Sequence, residues 1–241
     1  MDNLARATFD PTAPLAPQIY AYLRALITRN AVYPGQPLAE QRLALRLAVP
    51  QPALREAILR LAGEGLVDLC PDGSPKVGRI CMSGVVGARF LREAIEADIV
   101  KAVAERADFA LITELREQIV RQKLVCGRDP RSMVHLDERF HRTLAEAAGM
   151  GPIWRDLEGL KLRMDRVRHL SPEPLSPQPL IEQHSAIVDR IAMRDVFGAE
   201  AAMRGHLRDL VAVLPALVQR FPDYFDTPQE DPEGPPLVPL R

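Results

Sequence analysis

The sequence predicts a mainly α-helical chain in two units: a small helix-helix-helix-hairpin unit ending near residue 80, and a larger all-helical unit after it. Three observations carry this expectation. Apolar residues recur at spacings of three and four along most of the 241 residues, the period of a helix with one buried face. The spacing changes once, between Leu66 and Ile80, to short β-like runs around a turn. The 22 prolines crowd the ends and connections of the periodic stretches, since each would cost about 3 kcal/mol in a helix interior.

Pro11, Pro14 and Pro17 precede a first helix whose inward residues are Ile19, Leu23, Leu26 and Ile27. A short second helix over about 39–47 carries Leu43 and Leu47, and a third over about 52–63 carries Leu54, Ile58 and Leu61. Leu66 to Cys70 and Lys76 to Ile80, joined by Pro71-Asp72-Gly73-Ser74-Pro75, read as a two-stranded hairpin. Helices follow over roughly 85–107, 109–126, 130–148, 152–170, 179–194 and 196–221. Pro215 should kink the last, because it removes a backbone donor. Pro172, Pro174, Pro177 and Pro179 mark a loop. Residues 1–13 read as a flexible arm, 14–80 and 85–222 as the two domains, and 226–241 as a proline-rich acidic tail.

With 31 basic against 32 acidic residues, bulk positive charge cannot drive nucleic-acid binding, although a local basic face can. No apolar run reaches the roughly 18 residues of a membrane span, and no secretory leader is visible behind Met1. Cys70, Cys81 and Cys126 form no close pair and suit a reducing compartment. The expectation is a cytoplasmic protein without membrane partners.

The second and third helices, joined by a tight link and followed by the hairpin, have the organisation of a winged helix-turn-helix, whose second helix meets base edges at its first residues. The stretches Leu38-Ala39-Glu40-Gln41-Arg42-Leu43-Ala44 and Leu54-Arg55-Glu56-Ala57-Ile58-Leu59-Arg60-Leu61-Ala62-Gly63-Glu64-Gly65-Leu66-Val67 resemble the DNA-binding domain of GntR-family regulators. That resemblance implies double-stranded operator DNA as partner, with Arg55 as a phosphate or base contact, Gln51 as an adenine reader and Gly73 at the wing tip. The nearby basic residues Arg42 and Lys76 join the candidate contacts. The chain departs from the family where DNA is read. Pro50-Gln51-Pro52-Ala53 replaces a Ser/Thr-Arg-Thr-Pro type start, and Gln41 replaces a frequent arginine. Because glutamine pairs with adenine and arginine with guanine, the operator is expected to differ from the family's usual one.

In the second unit Asp137 and His141 lie four residues apart on one helix face, the spacing of a metal chelate and equally of a simple i,i+4 hydrogen bond. His184 and His206 lie 11 residues before and 11 after Asp195 at the turn between two amphipathic helices. At about 1.5 Å per residue both stand about 16 Å from the bend and can face one point. Polar imidazoles on apolar faces need partners. The segments Asp137 to Ala145, Glu182 to Ile187 and Ala202 to Leu207 resemble the FCD effector-binding domain of FadR-type GntR regulators over about 85–222. The resemblance implies an FCD-type bundle of six or seven helices, with Asp137, His141, His184 and His206 as ligands of a divalent ion. Zinc is the first choice, and nickel, manganese and iron share the ligand set. It also implies a small carboxylate effector clamped by Arg92, with Arg163 and Arg166 as further pocket candidates. The bland alternative for Arg92 is an ion pair with Glu96. Met150 stands where relatives often carry an asparagine, and His135 and His169 match no ligand.

The leading reading is a homodimeric transcription regulator, a repressor, whose operator binding responds to an organic acid. The alternatives are a regulator with a purely structural metal and no effector, and a metal-dependent enzyme. The enzyme lacks an evident base, because Glu138 points about 100° around the helix from Asp137.

Overall fold

The computed structural model describes residues 7–128, 130–170 and 177–226. The observed fold class is the expected one, an N-terminal helical unit with a hairpin and a C-terminal all-helical bundle. Helix α1 (Leu15–Thr28) buries Ile19, Leu23, Leu26 and Ile27 along one side. The residues before it are tied to it: Asp10 N–H donates to Gln18 Oε1 at 2.8 Å, and Phe9 meets the Tyr22 ring edge-on. Helix α2 (Glu40–Leu47) ends where Ala48 adopts a left-handed conformation, φ 52° and ψ 44°. Pro50 then caps α3 (Gln51–Gly63) in an extended conformation, and Pro52 sits in its first turn, where a missing N–H costs nothing.

The hairpin is shorter than expected, β1 (Val67–Leu69) pairing antiparallel with β2 (Pro75–Val77) around Gly73 at φ 80°. Ile80 leaves it because the far end of the chain takes its backbone groups. Its N–H donates to Tyr224 O at 2.8 Å, and its carbonyl accepts the Asp226 N–H at 3.1 Å. The core of this unit is built from Ile19, Leu23, Leu43, Leu54, Ile58, Leu61 and Val77. Each such side chain contributes roughly 1.5–3 kcal/mol by leaving water.

The second unit comprises α4 (Met82–Arg106), α5 (Phe109–Val125), α6 (Pro130–Ala147), α7 (Gly151–Arg168), α8 (Pro177–Ala192) and α9 (Val196–Ala212). Helix α4 runs through the centre against α6, α7, α8 and α9, while α5 packs on α6 and α8. It begins at Met82 because Cys81 Sγ accepts the Gly84 N–H at 3.4 Å. Asp108 and Asp195 cap α5 and α9 through Leu111 N–H and Gly198 N–H, both at 2.9 Å. The kink expected at Pro215 is a full break. Helix α9 stops at Ala212, and α10 (Leu214–Arg220) restarts with the proline in its first turn. Continuation would have left the Val211 carbonyl without a donor and facing the proline ring. No helix among the described residues is long and apolar enough to cross a membrane. The expected acidic tail lies, from residue 227, outside the described residues.

The two units meet along α7. Leu162 enters the core of the N-terminal unit. Asn30 Nδ2 donates to Arg166 O at 2.8 Å, and the Arg166 guanidinium donates to Gly78 O at 2.6 Å.

Candidate metal centre

The antiparallel pair α8 and α9, turning at Asp195, carries His184 and His206 to the same depth, and α6 brings Asp137 and His141 against them. All four side chains are at most 3% exposed. One donor atom from each lies within 4.8 Å of the others. His141 Nε2 is 3.1 Å from His206 Nε2, and Asp137 Oδ1 stands 3.6 Å from His184 Nε2 and 3.9 Å from His141 Nε2. Asp137 Oδ1 and His184 Nε2 are buried without a hydrogen-bond partner.

The outward nitrogens explain why the inward ones converge. His184 Nδ1 lies 2.9 Å from Gln122 Oε1, His206 Nδ1 3.0 Å from Gln183 Oε1, and His141 Nδ1 2.5 Å from Glu96 Oε2. With an oxygen beside every Nδ1, the tautomer that puts the ring proton there leaves each Nε2 a lone pair; the His141 Nδ1–Glu96 contact is an ion-pair approach rather than an aligned hydrogen bond. Three lone pairs and a carboxylate oxygen aimed at one buried point repel one another unless a cation stands between them. The donor set, three imidazoles and one carboxylate, suits a divalent transition ion. Phe140 stacks on His184 and Trp154 on His141, fixing the ring planes.

The electrostatics follow the same division. Burial raises the pKa of Asp137, but Arg168 at 3.1 Å and Lys161 at 3.6 Å from Oδ2 hold the carboxyl well below its usual range. Burial likewise opposes ionisation of Glu96, yet Arg92 and His141 bring it down to about 2. Burial pushes His184 down to about 3, and burial together with the neighbouring His184 and His141 pushes His206 well below its ordinary value. Both imidazoles are therefore neutral at physiological pH, the form that ligates metal.

Of the expected effector residues only Arg92 reaches this centre. It is fully buried, its Nε donates to Glu96 Oε1 at 2.6 Å, and one terminal nitrogen has no partner. Arg163 and Arg166 stand on the opposite face of α7. Arg163 lines an outer cleft with Arg24 and Glu64, and Arg166 is committed to Gly78. The α7 residues that do approach Asp137 are Lys161 and Arg168, which the periodic reading of that helix passed over. Gln122 and Gln183 were also missed. Gln122 was detectable as a polar residue one turn after Gln118 and Ile119 on an otherwise buried stripe. His135 is exposed and His169 half-buried at the end of α7, neither near the four ligand candidates' donor atoms.

In the N-terminal unit Gln51 and Arg42 are exposed, and Lys76 is half-buried on β2. Arg55 is ion-paired with Glu40, and its guanidinium also donates to Gly73 O at 3.3 Å, so it joins α2, the reading helix and the wing tip.

The family model described as the FCD domain matches residues 89–209, and that of bacterial regulatory proteins of the gntR family matches residues 15–77. The chain is 31% identical over 218 residues, 90% of this chain and 96% of the other, to the HTH-type transcriptional repressor RspR of Escherichia coli. It is 35% identical over 213 residues, 87% of this chain and 89% of the other, to an HTH-type transcriptional regulator in an unstable DNA locus of Streptomyces ambofaciens. Among solved structures, E. coli McbR/YncC superposes with a TM-score of 0.69 at 19% identity, covering 87% of this chain and 99% of that one.

Proposed function

The chain belongs to the gntR family of bacterial regulatory proteins and carries an FCD domain, and from that premise we propose a metal-containing, ligand-gated repressor of the FadR type. The observation that carries this is the convergence of three Nε2 atoms and Asp137 Oδ1 within one buried cluster while each Nδ1 lies within 3.0 Å of a side-chain oxygen. Asp137, His141, His184 and His206 would hold a divalent ion, zinc first. When bound, such an ion supplies Lewis acidity to an anionic ligand oxygen. Arg92, with a buried unpartnered nitrogen one ion pair away from His141, is the residue that clamps a small carboxylate effector.

The protein acts in the cytoplasm as a homodimer on a palindromic operator, reading it with Gln51, Arg55, Arg42 and the wing residues Gly73 and Lys76. Effector binding changes the placement of the two reading heads against half-sites of fixed spacing. The near-complete burial of the four ligand candidates favours a second reading, a structural ion without an effector. An enzyme is not favoured, because Glu138 is engaged with Arg142 at 2.9 Å on the surface. Elemental analysis of the purified protein, together with operator affinity measured for wild type and His206→Ala with and without sugar acids and dicarboxylates, tests the reading. A stoichiometric divalent ion and an acid-dependent fall in operator affinity, both lost in a folded His206→Ala, are expected. Protein purified without any divalent ion, and unable to take one up, would overturn it.

A further inference from the structure

A cleft of about 250 Å³ separates α1 from the α6–α7 pair, lined by Arg24 and Arg29 on the reading-unit side and by His135, Glu138, Asp165 and His169 on the other. Lys161 lines it as well. Most of these charges are already matched. Lys161 Nζ lies 3.3 Å from Asp165 and 3.6 Å from Asp137, Glu138 accepts from Arg142, and Arg24 Nε faces Glu64 at 3.4 Å. What remains without an ion pair among the described residues is one guanidinium, Arg29, and two imidazoles, His135 and His169. No carboxylate is left over. The α1 and α7 helices both end here, and their terminal carbonyls carry partial negative charge. Those carbonyls are occupied, however: Ala25, Leu26 and Ile27 by the N–H groups of Arg29, Ala31 and Asn30, Asp165 and Val167 by those of His169 and Leu170, and Arg166 by Asn30 Nδ2.

We propose that this cleft is a second ligand site, taking a small oxyanion, the carboxylate or phosphate group of a metabolite, on Arg29 with His135 and His169 alongside. Its volume falls below the roughly 300–1,000 Å³ of pockets for drug-sized ligands, which limits the occupant to a few heavy atoms around the anionic group. Arg29 is held in register by its neighbour Asn30, whose side chain is bonded to α7. An occupant therefore touches both units at the joint where they are pinned, and bridges the end of α1 to the end of α7. The proposal does not rest on the metal-centre reading, since Arg29 and His169 belong to neither the four ligand candidates nor the Arg92 pair; the two sites adjoin through Lys161, which lines this cleft and reaches Asp137.

The full chain, loaded with whatever metal it retains, is titrated separately with inorganic phosphate and with succinate at constant ionic strength. Affinity is followed by calorimetry, and the His169 ring resonances by NMR. One of the two anions should bind and move the His169 signals. Arg29→Ala should weaken that binding about tenfold or more, the loss expected for a charged hydrogen-bond partner, while His206→Ala leaves it within about twofold. The anion that binds more tightly names the class. Binding of neither anion overturns the proposal, as does undiminished binding to Arg29→Ala or loss of binding in a folded His206→Ala, which would put the anion at the metal centre. If His206→Ala does not fold, the His169 signals in the wild type decide: unmoved signals on saturation overturn the proposal.

Discussion

Glu96 Oε2 stands 2.5 Å from His141 Nδ1, and Glu96 Oε1 accepts from Arg92 Nε at 2.6 Å, so one buried carboxylate orients an imidazole and neutralises a guanidinium at once. Outer partners of this kind typically set metal affinity by 10–100-fold. Glu96→Gln is therefore expected to weaken divalent-ion binding by about that factor without removing a ligand, measured by competition with a chromogenic chelator. Unchanged affinity would show that the pair only packs α4.

The chelated protein should be acid-labile in a defined window. The His184 pKa falls from 6.5 to about 3 in the folded chain, so the unfolded state binds the extra proton between those values. Stability is complete above pH 6.5 and declines as pH drops toward 3, at up to about 1.4 kcal/mol per pH unit for each imidazole that behaves this way. His206 moves in the same direction. Glu96, lowered from 4.5 to about 2, adds a loss as pH falls through that lower range. Urea unfolding of the chelated protein between pH 7 and 4 reads the slope, and added zinc should raise stability across that window without lessening the slope, because the folded His184 and His206 carry no extra proton there to lose.

Arg166→Met should separate sensing from reading. The guanidinium is buried, its pKa lowered to about 10 by that burial against the pull of Asp68 and Asp226, and it reaches Gly78 from the helix that also holds Asp137 through Lys161 and Arg168. Methionine keeps much of the volume and loses the hydrogen bond. Metal content and operator affinity without effector should stay within about twofold of wild type, while the effector-dependent change in affinity shrinks.

Glu40→Gln releases Arg55 from its ion pair. With one carboxylate fewer beside the phosphates and one guanidinium freed, operator affinity should rise several-fold. The salt dependence should steepen by about one counterion, read from anisotropy titrations at several salt concentrations.

Ala48→Gly should stabilise the reading unit by about 0.5–1 kcal/mol. A left-handed alanine costs roughly 1–2 kcal/mol, part of which glycine returns as unfolded-chain entropy. The midpoint of denaturant unfolding checks the sign.

The helices and the hairpin were legible because burial repeats with the period of the backbone, and prolines fall where Pro14, Pro50 and Pro52 start helices. The alignment of His184 with His206 was legible from their equal distances from the Asp195 turn, and their gathering with Asp137 and His141 was what the resemblance to the FCD domain implied. What stayed hidden depended on side chains meeting across helices. Gln183 looks like an ordinary surface residue until α8 and α9 pair, and Glu96, legible as a partner of Arg92, gives no sign in sequence that it also reaches His141. Arg163 and Arg166 could be placed only once α7 was known to present Lys161, Asp165 and Arg168 to one partner and Leu162 and Arg166 to the other. The break before Pro215 was foreseen as a bend because sequence alone does not say whether a neighbour will hold the two halves in line.

Ile80, the residue that joins the two units, is laced on both backbone faces by Tyr224 and Asp226 from the opposite end of the chain. A linker fastened in this way is not a free hinge. For the reading head to swing, the final described residues must peel from it first, which makes the carboxyl end a latch on the motion of the amino end. A fusion or truncation near residue 224 would act on that latch, and so on the response to the effector, from far along the chain.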